Sequence, residues 1–333
     1  MSTYLAGDVG GTKTLLGLYS AAADRPAPMV VREYATLDFD SLDDIVRTFL
    51  EDTNAGAIDA VSIGVAGPVT GHLARLTNVP WLADISVIGE RLGDCPALLL
   101  NDLEALASAV PVLEPDELAT LQEGVPAAGG NAALIAAGTG LGEALLHNVG
   151  GRFLAFASEG GHADFAARNE RELALVGELS RAYGRVDNER VISGHGLVNL
   201  FRFTHGTHDL RAACRVVRGD VDPVELPARI SASALERRCD QCVEALEMFV
   251  EAYGAEAGNL ALRAVATAGV YLGGGIAPKI LPALEGGAFM DAFLGKEPMV
   301  DLLRTLPVYV ILNPAAGLLG AAVRAAALLT TRT

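Results

Sequence analysis

The sequence predicts an α/β protein of two domains, and three observations carry that expectation. A strand–turn–strand unit with a glycine-rich turn occurs twice, at residues 5–19 and again at 132–147. Short, wholly apolar runs such as residues 97–100 and 132–137 read as strands buried on both faces, and they alternate with helical stretches. The chain has 333 residues, half of them apolar, which is enough for two hydrophobic cores.

The first unit runs Leu5-Ala6-Gly7-Asp8-Val9-Gly10-Gly11-Thr12-Lys13-Thr14 and continues into Leu15-Leu16-Gly17-Leu18-Tyr19. A strand ends at a carboxylate, and a turn with two glycines, a hydroxyl residue and a lysine follows. Such a turn is either an ordinary Gly-Gly hairpin or an anion cradle whose successive N–H groups receive phosphate. A carboxylate beside a phosphate cradle is a natural place for a divalent cation, so Asp8 is the candidate metal residue, directly or through water. The stretch fits neither the Walker P-loop nor the dinucleotide-binding pattern.

Residues 30–36 read as a third strand. Residues 41–53 form a helix, with Ser41 as its N-cap and Asp43 and Asp44 in the first turn. Residues 60–65 are an apolar strand closed by Gly67-Pro68, 72–76 a short strand, and 85–92 a helix. The strand at 97–100 ends at Asn101-Asp102, where the next helix begins. Asp102 is therefore either a helix cap or a group presented at the carboxyl end of a buried strand, where open α/β sheets bind ligands.

Residues 111–126 read as the crossing between domains. The second glycine turn is Gly138-Thr139-Gly140-Leu141-Gly142, and a third strand follows at 152–157, as in the first half. Glu159-Gly160-Gly161-His162 comes next: a carboxylate and an imidazole flanking two glycines suit neighbouring hydroxyls, and a plain polar turn is the alternative. Residues 170–183 are helical, and Glu189 lies just ahead of Ser193-Gly194-His195-Gly196. Residues 204–230 carry no clear pattern. Residues 231–266 show long helical periodicity, 270–272 form a strand running into Gly273-Gly274-Gly275, 307–312 form the last strand, and 315–329 a C-terminal helix. Residues 1–111 with 315–333 make the smaller expected domain and 112–314 the larger.

The net charge of −16 argues against a nucleic-acid surface, where a basic patch is expected. The longest uncharged run, residues 124–142, holds Gly, Pro, Asn and Thr and reads as a loop and a buried strand, with no membrane span expected. No basic leader precedes the first strand, so no signal peptide is expected and a cytoplasmic location is. Cys239 and Cys242 form a C-x-x-C with no second Cys/His pair beside it in sequence. They and Cys95 and Cys214 read as core or half-buried thiols ahead of a zinc or redox site.

The two glycine turns, Leu76-Thr77-Asn78-Val79-Pro80-Trp81, Asn101-Asp102, Glu159-Gly160-Gly161-His162-Ala163-Asp164-Phe165, Glu189-Arg190-Val191-Ile192-Ser193-Gly194, Gly196-Leu197-Val198-Asn199-Leu200 and Gly273-Gly274-Gly275-Ile276, taken in this order, resemble the bacterial glucokinase family. That family sits within the wider group of sugar kinases, actin and heat-shock ATPases. The resemblance covers residues 5 to about 320.

The resemblance implies two ribonuclease-H-like domains of the actin-like ATPase type with a central cleft, transfer of the ATP γ-phosphoryl group to the 6-hydroxyl of D-glucose with Mg²⁺, and a homodimer. By the same resemblance Asp102 is the general base. Asn78, Asn101, Glu159, His162 and Glu189 hold or line the sugar. Gly7, Asp8, Val9, Gly10, Gly11 and Thr12, with Gly138, Thr139 and Gly140, surround the phosphates, and Gly273, Gly274 and Gly275 lie under the adenosine.

His195 departs from the family's usual proline. The cysteine-rich zinc motif of the related ROK sugar kinases is missing after His162, where Ala163-Asp164-Phe165-Ala166 stands, which favours the non-ROK group. A kinase for another hexose is one alternative. A non-catalytic sugar sensor on the same fold is another; regulators of that type carry an N-terminal helix-turn-helix, and none is expected where the hairpin starts at residue 3.

Overall fold

The structure, a computed structural model, describes residues 2–76, 79–207, 214 and 222–330. Two compact units divide the chain. The first is Met1–Glu117 with Phe153–Ala157 and Asn313–Thr333; the second is Leu118–Arg152 with Ser158–Leu312.

Unit 1 is built on a five-stranded mixed sheet. Its strands are β1 (Thr3–Val9), β2 (Lys13–Ser20), β3 (Ala27–Ala35), β4 (Ala60–Val65) and, after the small three-stranded sheet of β5 (Val69–Thr70), β6 (Leu73–Arg75) and β7 (Leu82–Asp84), β8 (Ala97–Asn101); the order is β3-β2-β1-β4-β8. β1 pairs antiparallel with β2 and parallel with β4, which pairs parallel with β8. Alternate residues of the central strands, Leu5, Val9, Val61, Ile63 and Val65, share one core with Ile45 and Phe49 of the helix Leu42–Thr53. Ser41 caps that helix, its hydroxyl accepting the Asp44 N–H at 3.1 Å. The helix Ala316–Thr330 packs against β1, β4 and the helix Asp102–Ala109. Its Ala- and Gly-rich sequence is a steric requirement, since a Cβ on Gly320 would overlap the Ala105 carbonyl.

The second sheet has six strands, β9 (Leu118–Gln122), β10 (Ala132–Ala137), β11 (Leu141–Val149), β12 (Arg152–Ser158), β13 (Gly269–Gly273) and β14 (Val308–Ile311), ordered β12-β11-β10-β13-β14-β9, and all of it except Phe153–Ala157 of β12 falls in unit 2. β10 pairs antiparallel with β11 and parallel with β13, repeating the relation of β1 to β2 and β4. The helices Gly194–His205, Leu226–Leu235 and Asp240–Ala264 pack together in its core. Tyr253, wholly buried, satisfies its hydroxyl by donating to the Ile135 carbonyl at 3.2 Å.

The structure adds to the sequence reading in three places. The crossing at 111–126 contains the edge strand β9, whose mixed polarity hides it and whose pairing with β14 is long-range. The stretch 231–266 is two helices, not one: the chain turns at Arg237, which has φ +52°, and restarts with Cys239 as N-cap of Asp240–Ala264. Residues 194–205 form a helix despite glycines at 194 and 196, because Ser193 caps it through the Gly196 N–H at 2.9 Å. Part of 204–230 lies outside the described residues. Among the described residues, no helix is long and apolar enough to cross a membrane.

Candidate active site

In unit 1 the turn after β1 is closed by the Gly10 N–H donating to the Lys13 carbonyl at 2.9 Å. Thr36 pins it from outside: its N–H donates to the Thr12 carbonyl at 3.0 Å and its hydroxyl to the Gly10 carbonyl at 2.9 Å. The buried Thr14 hydroxyl meets the Thr36 hydroxyl at 2.9 Å. Nothing in the local pattern singled out Thr36; only the pairing of β2 with β3 brings it here. Gly7, Asp8 and Val9 are strand residues, so β1 ends one residue beyond the carboxylate. Val9 is fully buried in the core and offers only its backbone, whereas Gly10, Gly11 and Thr12 form the turn itself. Lys13 spends its charge on an exposed ion pair with Glu33.

The carboxyl end of the same sheet brings Asp8 and Asp102 into electrostatic contact. Burial above all, and then the Asp102 charge, push the Asp8 carboxyl up to about 6, against a smaller opposing pull from Lys13. A desolvated carboxylate with a second one near enough to repel it is a place where a divalent cation would be favoured, and oxygen donors suit Mg²⁺. Asp8 also lies over Gly317 in the first turn of the C-terminal helix.

Asp102 is the first residue of the helix Asp102–Ala109, and the cap is Asn101. The Asn101 side-chain oxygen accepts the Leu103 N–H at 2.9 Å, and its amide donates to the Gly67 carbonyl at 3.2 Å. The capping role that sequence left open for Asp102 therefore falls to its neighbour, although Asp102 Oδ1 also accepts from Leu103 at 2.9 Å. Asn78 lies outside the described residues.

In unit 2 the turn at Gly138–Gly140 is closed by the Gly138 N–H donating to the Gly140 carbonyl at 2.9 Å. The helix Gly194–His205 begins against it, the Gly194 N–H donating to the Gly138 carbonyl at 2.8 Å. Glu189 reaches the same turn: its Oε2 accepts the Leu141 N–H at 3.0 Å, and a Cβ on Gly140 would come within 2.5 Å of that oxygen. Gly274, at φ +81°, packs its α-carbon onto the Ala137 carbonyl, where only glycine fits. The Gly273–Gly275 turn thus sits directly beside the start of the 138–140 turn.

Glu159, Gly160, Gly161 and His162 form a short 3₁₀ turn in which the His162 N–H donates to the Glu159 carbonyl at 3.0 Å. Its two glycines are packing requirements: a Cβ on Gly160 would strike the Glu143 carboxylate, and one on Gly161 the Leu141 carbonyl. This turn runs beside the segment that holds Glu189, through Phe165 N–H to Val186 carbonyl and Asn188 N–H to Ala163 carbonyl, each at 3.0 Å. Glu159 and His162 stay exposed, and His162 Nδ1 lies 3.5 Å from Asp187 Oδ2. Asp187 is itself fixed by the Arg190 N–H at 3.0 Å. Asp187, whose Oδ2 also lies 3.5 Å from Arg185, was not a candidate from sequence; its one local signal was its place two residues before Glu189. Glu143 was missed for the opposite reason, since it looks like one position of an ordinary strand. It is buried behind the turn, where burial and the neighbouring Glu256 raise its carboxyl to about 7 while Arg263 opposes them.

The sequence pattern of the glucokinase family matches residues 5–328. A glucokinase of Nostoc punctiforme is 39% identical over 341 residues, a match that takes in 98% of this chain and all of that one. Among solved structures, a glucokinase from an Antarctic psychrotroph superposes with a TM-score of 0.85 at 27% identity, covering 98% of this chain and 99% of that one. A ROK family glucokinase from Streptomyces griseus, solved with glucose and AMPPNP, shares the fold at a TM-score of 0.65 and 22% identity, covering 98% of this chain and 100% of that one.

Proposed function

This chain belongs to the glucokinase family, and we infer that it phosphorylates D-glucose at the 6-hydroxyl with Asp102 as the base. It is an ATP-dependent hexose kinase of the actin-like ATPase fold. The observation that carries the reading is the match to glucokinases along nearly the whole chain.

Phosphoryl transfer asks a protein for in-line positioning and for stabilisation of spread charge more than for covalent help. Asp102 stands just past the carboxyl end of β8, as the first residue of a helix that Asn101 also caps, and it is the carboxylate assigned to accept the O6 proton as attack proceeds. Glu189 already uses one oxygen on the Leu141 N–H, which fixes the other for a sugar hydroxyl. His162, oriented by Asp187, and the exposed Glu159 take the neighbouring hydroxyls. Asn78 and Asn101 are assigned the remaining sugar contacts, although the Asn101 amide is already engaged at both ends.

The turns at residues 7–12 and 138–140 receive the ATP phosphates, and Gly273–Gly275 the adenosine. Asp8 is the residue that would hold Mg²⁺, directly or through water, and the ion would supply neutralisation of phosphate charge. A site that bonds each hydroxyl discriminates among sugars, because an analogue lacking one leaves a buried group unpaired. A cytoplasmic location, where ATP is at hand, and a homodimer belong to the same reading.

A coupled assay with purified protein, ATP and Mg²⁺ against glucose, mannose, fructose and N-acetylglucosamine tests this. Glucose 6-phosphate formation with glucose strongly preferred is the expected result. Preference for another sugar would move the specificity, and binding of glucose without turnover would make the chain a sensor. Size-exclusion chromatography with light scattering reads the homodimer.

A further inference from the structure

All but one of the cysteines of this chain converge on one histidine, far apart in sequence and outside the substrate groups. The ligating atoms of His205, Cys214, Cys239 and Cys242 all lie within 4.8 Å of one another. The C-x-x-C has no second Cys/His pair nearby in the sequence, and the fold brings His205 and Cys214 to it. We propose that these four side chains hold a structural Zn²⁺ ion.

The geometry fits in three respects. A tetrahedral zinc with bonds of about 2.05 Å to nitrogen and about 2.3 Å to sulfur separates the two ligand atoms by about 3.5 Å, and His205 Nε2 lies 3.5 Å from Cys239 Sγ. His205 Nδ1 is 2.8 Å from the Phe201 carbonyl, which can only accept, so the ring proton sits on Nδ1 and the Nε2 lone pair faces the sulfurs. That is the second hydrogen bond by which metal-binding imidazoles are oriented. Finally, Cys239 is the N-cap of the helix Asp240–Ala264 and Cys242 lies in its first turn, so one helix start presents both thiols. The partial positive charge there favours thiolates.

Three sulfurs and one imidazole select zinc over the hard Mg²⁺ ion. Four protein ligands leave no open position, which marks the ion as structural and not catalytic. It would clip the C-terminal end of the helix Gly194–His205 to the N-terminal end of Asp240–Ala264, with Cys214 tied between them. The first of these helices starts on the Gly138 carbonyl, so the clip anchors the far end of an element that frames the glycine turn.

Full-length protein purified without chelator, and the same protein stripped and reloaded with Zn²⁺, is analysed by plasma mass spectrometry. About one zinc per chain is expected, with tetrahedral visible bands and thiolate charge-transfer absorption on Co²⁺ substitution. The Cys214→Ser/Cys239→Ser variant, whose positions are only partly buried, should stay folded by circular dichroism. It should lose affinity against a chromophoric chelator by well over the 10–100-fold typical of losing a group that only supports a ligand, as should His205→Gln. Cys95→Ser, outside the cluster, should keep the metal. Chelation should lower the Tm of the wild type and not of the double variant. Negligible zinc after reloading, equal uptake by the double variant and the wild type, or a disulfide among the three thiols in protein prepared under reducing conditions would overturn the site.

Discussion

The Asp8 carboxylate rests on Gly317: a Cβ at position 317 would lie 2.7 Å from Asp8 Oδ2. The first strand and the last helix of the chain therefore meet at the carboxylate assigned to Mg²⁺. Gly317→Ala should improve helix propensity by up to about 1 kcal/mol and still damage the enzyme, because it displaces Asp8. The expected outcome is a kcat lower by about 10²-fold, the cost of a misplacement near 1 Å, with the Tm unchanged or raised. Steady-state kinetics beside a thermal melt separate the two effects, and wild-type kcat in the variant would remove Asp8 from the chemistry.

Asp8 also sets a pH dependence. Its carboxyl titrates near 6 in the folded protein against an ordinary value of 3.8. The folded state therefore holds the proton more tightly than the unfolded chain, and apo stability should fall as pH rises from about 3.8 to about 6. Metal binding needs the ionised form, so the Tm gained from Mg²⁺ with a non-hydrolysable ATP analogue should grow through the same window. Asp8→Asn should flatten both trends in scanning fluorimetry across pH; persistence of the Mg²⁺ gain in that variant would place the metal elsewhere.

Asp102→Asn keeps shape and removes the carboxylate proposed as the base. Because Asn101 caps the helix, folding should be untouched. A kcat reduced by roughly 10²–10⁴-fold is expected for loss of a positioned base, with little change in glucose KM, since proton acceptance matters most in the transition state. A near-normal kcat would show that another group takes the proton.

Glu189, proposed to bind the sugar, also accepts the Leu141 N–H of the glycine turn at 3.0 Å. Glu189→Ala should raise glucose KM by the equivalent of roughly 1.5–3 kcal/mol and also loosen the turn, so ATP KM should rise modestly. Glu189→Gln retains an acceptor for Leu141 and should spare ATP while still weakening glucose. Equal ATP behaviour in the two variants would show that the turn does not depend on this bond.

Glu143 makes an opposite test, on stability alone. Its folded carboxyl titrates near 7 against an ordinary 4.5, through burial and Glu256, so stability is greatest below about 4.5 and declines as pH rises through about 7. Glu143→Gln should be stabilising at pH 8 and near neutral at pH 5 in urea denaturation. A variant equally destabilised at both values would mean that the charged form is the one the fold requires.

What this sequence determined by itself is local. The two glycine turns, the strands at 60–65 and 132–137, the helix at 170–183 and the Ser41 cap are written in periodicity and in short-range hydrogen bonding, and the polar turns appear in an order that resembles one family of kinases. What only the tertiary structure decided is which distant groups meet. Thr36 reaches the Gly10 turn through strand pairing, Asp187 reaches His162 because two loops run side by side, and Asn101 takes the cap that Asp102 was equally placed to take. His205 and Cys214 join a C-x-x-C that looked solitary. Such meetings are set by sheet order and helix packing. Those are properties of the whole buried surface, and no window of neighbouring residues carries them.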